Sequence, residues 1–498
     1  MENKPKWLWK NVDYDKYQWH VTISTIDSTI ESENVDEKVV YIEDLEKRRQ
    51  AYGICGECKE PGTGEYWCQP CNAKRFKDNF KNWTSGNKDI DEFIQQSQLN
   101  VVHYYKCLEW IPFEKFQNIT YIAEGGFGKI YSAEWPEGNI NYWDIENQKW
   151  YRYKDFDKYA LKSLNNSSDI CSDFLNEIKS HLQIYLGDIV RCYGITQDPN
   201  NKEYMMVLIY CENGNLRNYL NKSNNYINYK SKIDQLQQIA RGLLDIHNAE
   251  KVHKDFHSGN ILYRGGPFIS DLGMCQPANK RKVKEEGIYG VLPYMAPEVL
   301  RGYQYTKAAD IYSFGIIMNE LIFEETPYND IPHDEFLAIK ICKGLRPKIS
   351  EDTPKLLADL IMKCWDAEIE NRPTTKQLSQ ILTKWNDEID DSDDGEDSEI
   401  YSQIKVCDEI GEKKFGSRSS KDKPKNFQTH PQAIYTSRLL NFKNLPKPVN
   451  SSDLSSFQFN SDTNTQSESA NPISECLDVQ LSELELNEIY QDNKNDIE

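Results

Sequence analysis

The chain has 498 residues, room for two or three domains, and its 79 Asp and Glu outweigh 59 Lys and Arg to give a formal net charge of −20. This balance argues against nonspecific attachment to nucleic acid or to an anionic membrane surface. No run of about 18 apolar residues occurs, so no membrane span is expected. The densest apolar stretch, Phe314–Phe323, is broken by Gly315, Asn319 and Glu320 and reads as a buried core helix. Met1–Asn11 is polar, carries Pro5 and lacks the apolar centre of an export signal, which points to an intracellular, most simply cytoplasmic, protein.

Residues 1–50 form a polar segment with weak strand-like alternation at Trp19–Ile26. Residues 51–105 hold Cys55-Gly56-Glu57-Cys58 and Cys68-Gln69-Pro70-Cys71, a C-x2-C-x9-C-x2-C spacing. Four thiolates in two close pairs suit one tetrahedral structural Zn²⁺, and so small a module needs its metal to fold. The gap is shorter than the 15–20 residues common in such sites, but Pro61-Gly62-Thr63-Gly64 supplies a turn. Paired disulfides or a redox pair are the competing readings. The other nine of the 13 cysteines have no spacing pattern and read as free thiols in a reducing compartment. The basic neighbours Lys47, Arg48, Arg49, Lys74, Arg75 and Lys77 could touch nucleic acid. In so acidic a chain, a structural or docking role is the preferred reading, and no nucleic-acid partner is expected. Asp89–Leu99 has the pattern of a short helix.

Residues 113–386 read as one α/β unit. A strand at Ile119–Ile122 leads into Glu124-Gly125-Gly126-Phe127-Gly128, and a second strand, Lys129–Trp135, follows. Glycines in such a turn let backbone N–H groups approach phosphate closely, although a glycine turn alone is equally an ordinary hairpin. Pro136–Asp157 reads as an insertion between strands. Lys162 lies within the strand-like Tyr159–Leu164, where a Lys is costly unless paired. Glu177, on a following helix, is the expected partner. Farther on come Val252-His253-Lys254-Asp255-Phe256-His257-Ser258-Gly259-Asn260-Ile261-Leu262, then Asp271-Leu272-Gly273, then Ala296-Pro297-Glu298. Their order and spacing match the parts of a phosphoryl-transfer site. Such transfer relies on positioning and charge neutralisation. Asp255 supplies a carboxylate to take the proton of an attacking hydroxyl. Asn260 and Asp271 supply hard oxygen ligands for Mg²⁺.

Together these segments resemble the eukaryotic protein kinases over about 113–386. Residues 255–262, with Lys363-Cys364-Trp365 and Asn371-Arg372-Pro373-Thr374, look like the tyrosine-kinase-like group of Ser/Thr kinases. The cysteine region with Asn82-Trp83-Thr84-Ser85-Gly86, and a tail motif, are similar to a large kinase expansion in mycorrhizal fungi. The resemblance implies an α+β, bilobal fold, with a small β-rich N-lobe, a larger α-helical C-lobe and ATP between them. A zinc-knuckle module precedes this unit. It implies Mg-ATP as cofactor and protein substrates. It assigns Asp255, Lys162, Glu177, Asn260 and Asp271 to catalysis. Nucleotide contacts fall to Ala123, Gly125, Gly126, Phe127, Gly128, Ile130, Ala160, Lys162, a gatekeeper Leu208, a hinge Ile209-Tyr210-Cys211, and Leu262. It also implies a Glu298–Arg372 pair, with Asp310 bracing the catalytic loop.

Several residues depart from the family pattern. Ala123 replaces the first glycine of the turn. Lys254 stands where Arg is usual before the catalytic Asp, and it offers a point charge where Arg offers a planar fork. The activation segment, 271–298, contains no Ser or Thr. Glu285 and Glu286 sit at the usual phosphosite and either mimic a phosphate toward Lys254 or are solvated loop charges. His257 and Val291 occupy the positions of the customary Lys–Thr clasp, so that clasp is expected to be missing. Tyr294, where tyrosine kinases tend to have Trp, favours Ser/Thr as acceptor. A tyrosine or dual-specificity kinase, or a nucleotide-binding pseudokinase scaffold, is the alternative.

Beyond Asn386 the composition turns acidic and then rich in Ser, Asn and Thr, so 387–498 reads as a disordered tail. Within it Ile434–Pro448 is less polar and reads either as a docking motif or as an ordinary patch of loose chain.

Overall fold

The computed structural model describes residues 7–14, 16–22, 38–125, 128–154, 157–163, 172–184, 187–223, 225–278, 287–390, 398–417 and 429–450. Gly126, Phe127, Glu285 and Glu286 lie outside the described residues, as do residues 23–26 of the expected strand at Trp19–Ile26. All the described residues belong to one compact unit, Met1–Ser452.

The N-terminal region is built around the cysteine loop. Helix α1 (Leu45–Tyr52) is capped by Asp44, which accepts from the Lys47 N–H at 2.9 Å. It carries a buried Arg48 whose guanidinium donates to the carbonyls of Ile42, Pro61 and Gly62 at 2.7–2.9 Å, so this cation clamps the loop from inside. Helix α2 (Gln69–Asn79) starts at Cys68 with Pro70 in its first turn, where a missing N–H costs nothing. Helix α3 (Lys88–Asn100) is capped by Asn87 and buries Ile90, Ile94 and Gln98, four residues apart and therefore on one face. It spans the predicted short helix.

A six-stranded sheet forms the small lobe. In chain order its strands are β1 (Glu109–Trp110), β2 (Gln117–Gly125), β3 (Gly128–Glu134), then, after an inserted hairpin, β6 (Tyr159–Ser163), β7 (Cys192–Gln197) and β8 (Tyr204–Ile209). Their spatial order is β1-β7-β8-β6-β3-β2, antiparallel except for the β1–β7 edge. The insertion expected at 136–157 is the hairpin β4 (Asn139–Asp144) and β5 (Lys149–Tyr153), which forms a sheet of its own. Its Trp150 stacks on Trp67 and on Phe76 of α2, with centroids 5.8 and 5.0 Å apart. Arg75 of α2 lies 4.3 Å over Trp143. The insertion is therefore what seats the cysteine module on the small lobe. Helix α4 (Ser172–Gln183) places Phe174 and Ile178 in one buried cluster with Ile90 and Ile94 of α3.

The large lobe is helical: α5 (Leu216–Lys222), α6 (Tyr229–Asn248), α7 (Pro297–Leu300), α8 (Lys307–Phe323), α9 (Glu335–Cys342), α10 (Lys355–Cys364) and α11 (Thr375–Asp390). Helix α8 is buried from Ala309 to Ile322, the all-round burial that its apolar sequence requires. Short strands β9 (Lys251–Val252), β10 (Ile261–Tyr263), β11 (Pro267–Ile269), β12 (Gln276–Pro277) and β13 (Ile288–Gly290) line the lobe toward the sheet. Behind the lobe junction, a cavity of about 370 Å³ is lined by Trp19, His103 and Lys106 on one side and by Gly187, Arg241 and Asp245 on the other.

The expectation of disorder from 387 onward is corrected for the described part of the tail. Helix α12 (Glu399–Ser417) buries Ile400 and Ile404 in the large-lobe core, and its Asp408 accepts from the Tyr226 hydroxyl and the Tyr229 N–H at 2.9 and 3.0 Å. Residues 429–450 pack along the same lobe and include strand β14 (Arg438–Leu440), with Leu440 and Leu445 buried. The apolar groups sit four or five residues apart inside strongly polar sequence, so average composition conceals them.

Candidate active site

The glycine turn closes between β2 and β3, with Gly125 opposite Gly128 and Ala123 opposite Ile130. Gly128 adopts φ 147°, a region that disfavours any residue with a Cβ. In the neighbouring strands Ala160 of β6 pairs with Leu208 of β8. Leu208 and Cys211 share a buried cluster with Ala160, Ile209 and Leu262. The structure thus brings Ala160, Leu208, Ile209, Cys211 and Leu262 to one apolar slot, with Tyr210 fixed by Arg264 donating to its carbonyl at 3.1 Å.

Lys162 projects from β6 into the cleft, where its ammonium lies 2.8 Å from Glu177 Oε1 of α4 and 3.0 Å from Asp271 Oδ1. Burial works to lower the Lys162 pKa, but Asp271 and Glu177 outweigh it, so the group stays cationic. Asp271 has a left-handed backbone, φ 61°, a conformation Asp tolerates better than most residues. The β10–β11 hairpin pairs Ile261 with Ile269, setting Asn260 and Asp271 at the same end of the stem. Ser270 holds them there by donating its N–H and hydroxyl to the Asn260 carbonyl at 2.8 and 3.0 Å. Asn260 Nδ2 donates to the Asp255 carbonyl at 2.9 Å, leaving Oδ1 as an acceptor. An amide oxygen and a carboxylate beside a fixed ammonium are a donor set that fits Mg²⁺.

The catalytic loop is braced from beneath. Asp310 of α8 accepts from the backbone N–H groups of His253 and Lys254 at 2.8 and 3.1 Å and from His247 at 3.0 Å. Arg372 makes a bidentate pair with Glu298, at 2.7 and 2.8 Å. Lys254 adopts φ 71° and its ammonium lies 5.6 Å from the Tyr305 ring.

Asp255 is buried, and its Oδ2 lies 3.6 Å from His257 Nε2. The Gly259 N–H donates to His257 Nδ1 at 3.0 Å, so the proton of the neutral ring sits on Nε2, facing the carboxylate. Burial alone would raise the Asp255 pKa. Hydrogen bonding from His257, with a hydrogen bond from Ser437, outweighs it and holds the carboxyl below its usual range. The His257 ring takes up the space beside the carboxylate where the lysine of the customary clasp would stand. Val291 at the other end is buried and apolar.

Ser437 is the group that sequence reasoning misses. Its Oγ donates to Asp255 Oδ2 at 2.6 Å and lies 3.3 Å from His257 Nε2. The less polar segment Ile434–Pro448 contains this residue, but nothing in the sequence singles out its hydroxyl.

In the N-terminal region the four sulfurs of Cys55, Cys58, Cys68 and Cys71 all lie within 4.8 Å of one another. The Cys58–Cys68 and Cys55–Cys71 separations are 3.6 and 3.9 Å. A tetrahedral site with Zn–S of about 2.3 Å calls for sulfurs about 3.8 Å apart, so these residues fit a zinc ion held by four thiolates. Of the basic neighbours, Arg48 and Arg75 are engaged internally, Arg75 pairing with Glu57 and stacking on Trp143.

Residues 116–382, more than half of the chain, match the model of the protein tyrosine and serine/threonine kinase family. The chain belongs to this family. Among curated relatives its kinase domain is 30% identical over 269 residues to the RGS domain-containing serine/threonine-protein kinase A of Dictyostelium discoideum, covering 53% of this chain and 22% of that protein. It is 28% identical over 281 residues to the serine/threonine-protein kinase VIK of Arabidopsis thaliana, covering 54% of this chain and 60% of that one. The match to pakC of Dictyostelium discoideum, also a serine/threonine-protein kinase by name, is 27% over 272 residues, covering 54% and 53%. The chain thus spans roughly a fifth to three fifths of these relatives' lengths. No helix among the described residues is long and apolar enough to cross a membrane.

Proposed function

We propose that this protein is an ATP-dependent protein kinase that phosphorylates Ser or Thr hydroxyls of protein substrates, with membership of the tyrosine-kinase-like group. The observation that carries the reading is the joint geometry of Lys162, Glu177 and Asp271 on one side of the cleft and Asp255, His257 and Asn260 on the other. Lys162, held by Glu177, binds the α- and β-phosphates. Asn260 and Asp271 hold Mg²⁺, which when bound neutralises charge on the phosphates. Asp255 orients the acceptor hydroxyl and takes its proton. The apolar slot around Ala160, Leu208 and Leu262 takes the adenine, whose edge meets the backbone of Ile209–Cys211.

A preference for Ser/Thr is supported by depth. Asp255 Oδ2 is within 2.6 Å of the hydroxyl of Ser437, the residue just before a strand hydrogen-bonded to the activation segment. A tyrosine at that position would carry its hydroxyl several ångströms too far. The four-cysteine site is assigned to structural zinc on its sulfur spacing, and the module to holding α3 and the inserted hairpin. An ATP-dependent phosphorylation assay on a degenerate peptide library, with Asp255→Asn as control, tests the reading. Labelled Ser and Thr that disappear in the control are expected; no label above background with wild-type protein overturns it.

A further inference from the structure

The strand β14 does not merely lie near the active site. It pairs antiparallel with β13, Ile288 opposite Leu440, Tyr289 opposite Leu439 and Gly290 opposite Arg438. β13 belongs to the activation segment, so the tail adds a strand to the edge along which an extended peptide would bind. The flanking residues are seated as well. The Tyr435 ring lies 5.1 Å from the Arg217 guanidinium, and its hydroxyl donates to the Pro327 carbonyl at 2.8 Å. His333 bonds the Ile434 carbonyl at 2.9 Å. Tyr289 donates to the Ser437 carbonyl at 3.0 Å, fixing the backbone at the residue that faces Asp255.

We propose that Ser437 is an acceptor for this kinase's own phosphoryl transfer, made in cis, and that until it is modified the tail strand blocks the peptide groove. This rests on the kinase reading above. A pure blocking segment needs no acceptor at this position, yet Ser437 Oγ stands at the distance from Asp255 that a general base requires. In the step, the Ser437 Oγ–Pγ bond forms and the bond from Pγ to the β,γ-bridging oxygen of ATP breaks. ADP leaves with that electron pair, and the hydroxyl proton passes to Asp255. Once Asp255 gives up that proton to solvent, the product carries a phosphate of charge near −2 next to its carboxylate, and this repulsion expels the strand.

The tether favours cis transfer. Helix α12 is fixed to the large lobe on one side of the segment. On the other side Leu445 is buried, Arg301 donates to its carbonyl at 3.3 Å, and the Val449 N–H donates to the Cys342 carbonyl at 3.0 Å. Held at both ends, the segment meets its own cleft at an effective concentration no second molecule matches.

The test uses the full chain, stripped of phosphate by phosphatase and then given Mg-ATP over a hundredfold range of protein concentration. Phosphate at Ser437 is quantified by mass spectrometry, and turnover on the degenerate peptide library is followed in parallel. The expected result is first-order labelling of Ser437 with a rate independent of concentration, followed by at least a tenfold rise in peptide turnover. Leu440→Asp, which undocks the strand, should start at the high peptide turnover and lose fast Ser437 labelling; circular dichroism checks that it folds. Ser437→Ala, the milder change, should keep the strand docked and peptide turnover low throughout. Peptide phosphorylation with Ser437 unlabelled, or labelling whose rate scales with concentration, overturns the proposal while leaving the kinase reading intact. Absence of both activities in wild type and in Leu440→Asp defeats the kinase reading itself, and this proposal with it.

Discussion

Arg75 of α2 lies over the ring of Trp143 at 4.3 Å, and this contact joins the cysteine module to a hairpin inserted between two strands of the catalytic sheet. The same hairpin offers Trp150 to Trp67 and Phe76. Truncating Trp150 to Ala removes two aromatic stacks and a half-buried indole, and should cost roughly 2 kcal/mol of stability. Denaturant unfolding would read this as a lower midpoint with an unchanged slope. A midpoint equal to wild type would mean that the hairpin is not an anchor.

Ile94 of α3 shares a buried cluster with Phe174 and Ile178 of α4, the helix that carries Glu177. Ile94→Ala should cost about 2–5 kcal/mol. Because α4 sets the Lys162–Glu177 pair, the apparent KM for ATP should rise as well, measured below the unfolding transition. Loss of stability with an unaltered KM would limit α3 to passive packing.

The four-cysteine site gives a direct metal prediction. Purified protein should contain about one zinc per chain, and chelation should unfold the region around α1 and α2, since the loop between the cysteine pairs has little apolar core of its own. Cys58→Ser should lower occupancy, read by elemental analysis. Full stability in excess chelator would refute a structural metal.

His257 replaces a familiar lysine beside Asp255, with its Nε2 facing both the carboxylate and the Ser437 hydroxyl. His257→Ala should reduce kcat about tenfold, the worth of one hydrogen bond to a charged group. His257→Lys should recover most of it. Asp255→Asn should lose a factor of about 10² to 10⁴. A His257→Ala enzyme with wild-type kcat would leave the ring without a catalytic role.

Burial lowers the His181 pKa to about 4, and the charged Lys162 nearby adds to this. The folded value lies below the unfolded one of about 6.5, so the unfolded chain takes up the proton first. The stabilisation is therefore complete above about pH 6.5 and is lost as pH falls toward 4. The loss is about 3 kcal/mol at most. His181→Gln should flatten the dependence of Tm on pH between 6.5 and 4 relative to wild type. Parallel profiles would show that His181 does not contribute.

What is legible in the sequence follows the range of the interactions. Asp255, Asn260 and Asp271 are close in the chain and recur at fixed spacing, so their convergence can be read without a structure. Lys162 and Glu177 follow from the cost of burying a lone ammonium. The insertion at 136–157 is visible as excess length, but its aromatic contacts with residues 67–76 are not, because nothing local records them. Composition misjudges the tail for the same reason. Ile400 and Ile404 are two apolar groups diluted by acidic neighbours, and Ser437 acquires its meaning only through pairing with residues about 150 positions earlier.

The cavity behind the lobe junction bears on the clock of the reaction. Spent nucleotide escapes a two-lobed cleft when the lobes part, and this step often limits turnover. Here Trp19, His103 and Lys106 of the N-terminal region face Gly187, Arg241 and Asp245 across a gap of about 370 Å³. A change in the angle between the lobes would alter the width of that gap, and the N-terminal region would then add its stiffness as a load on any such motion.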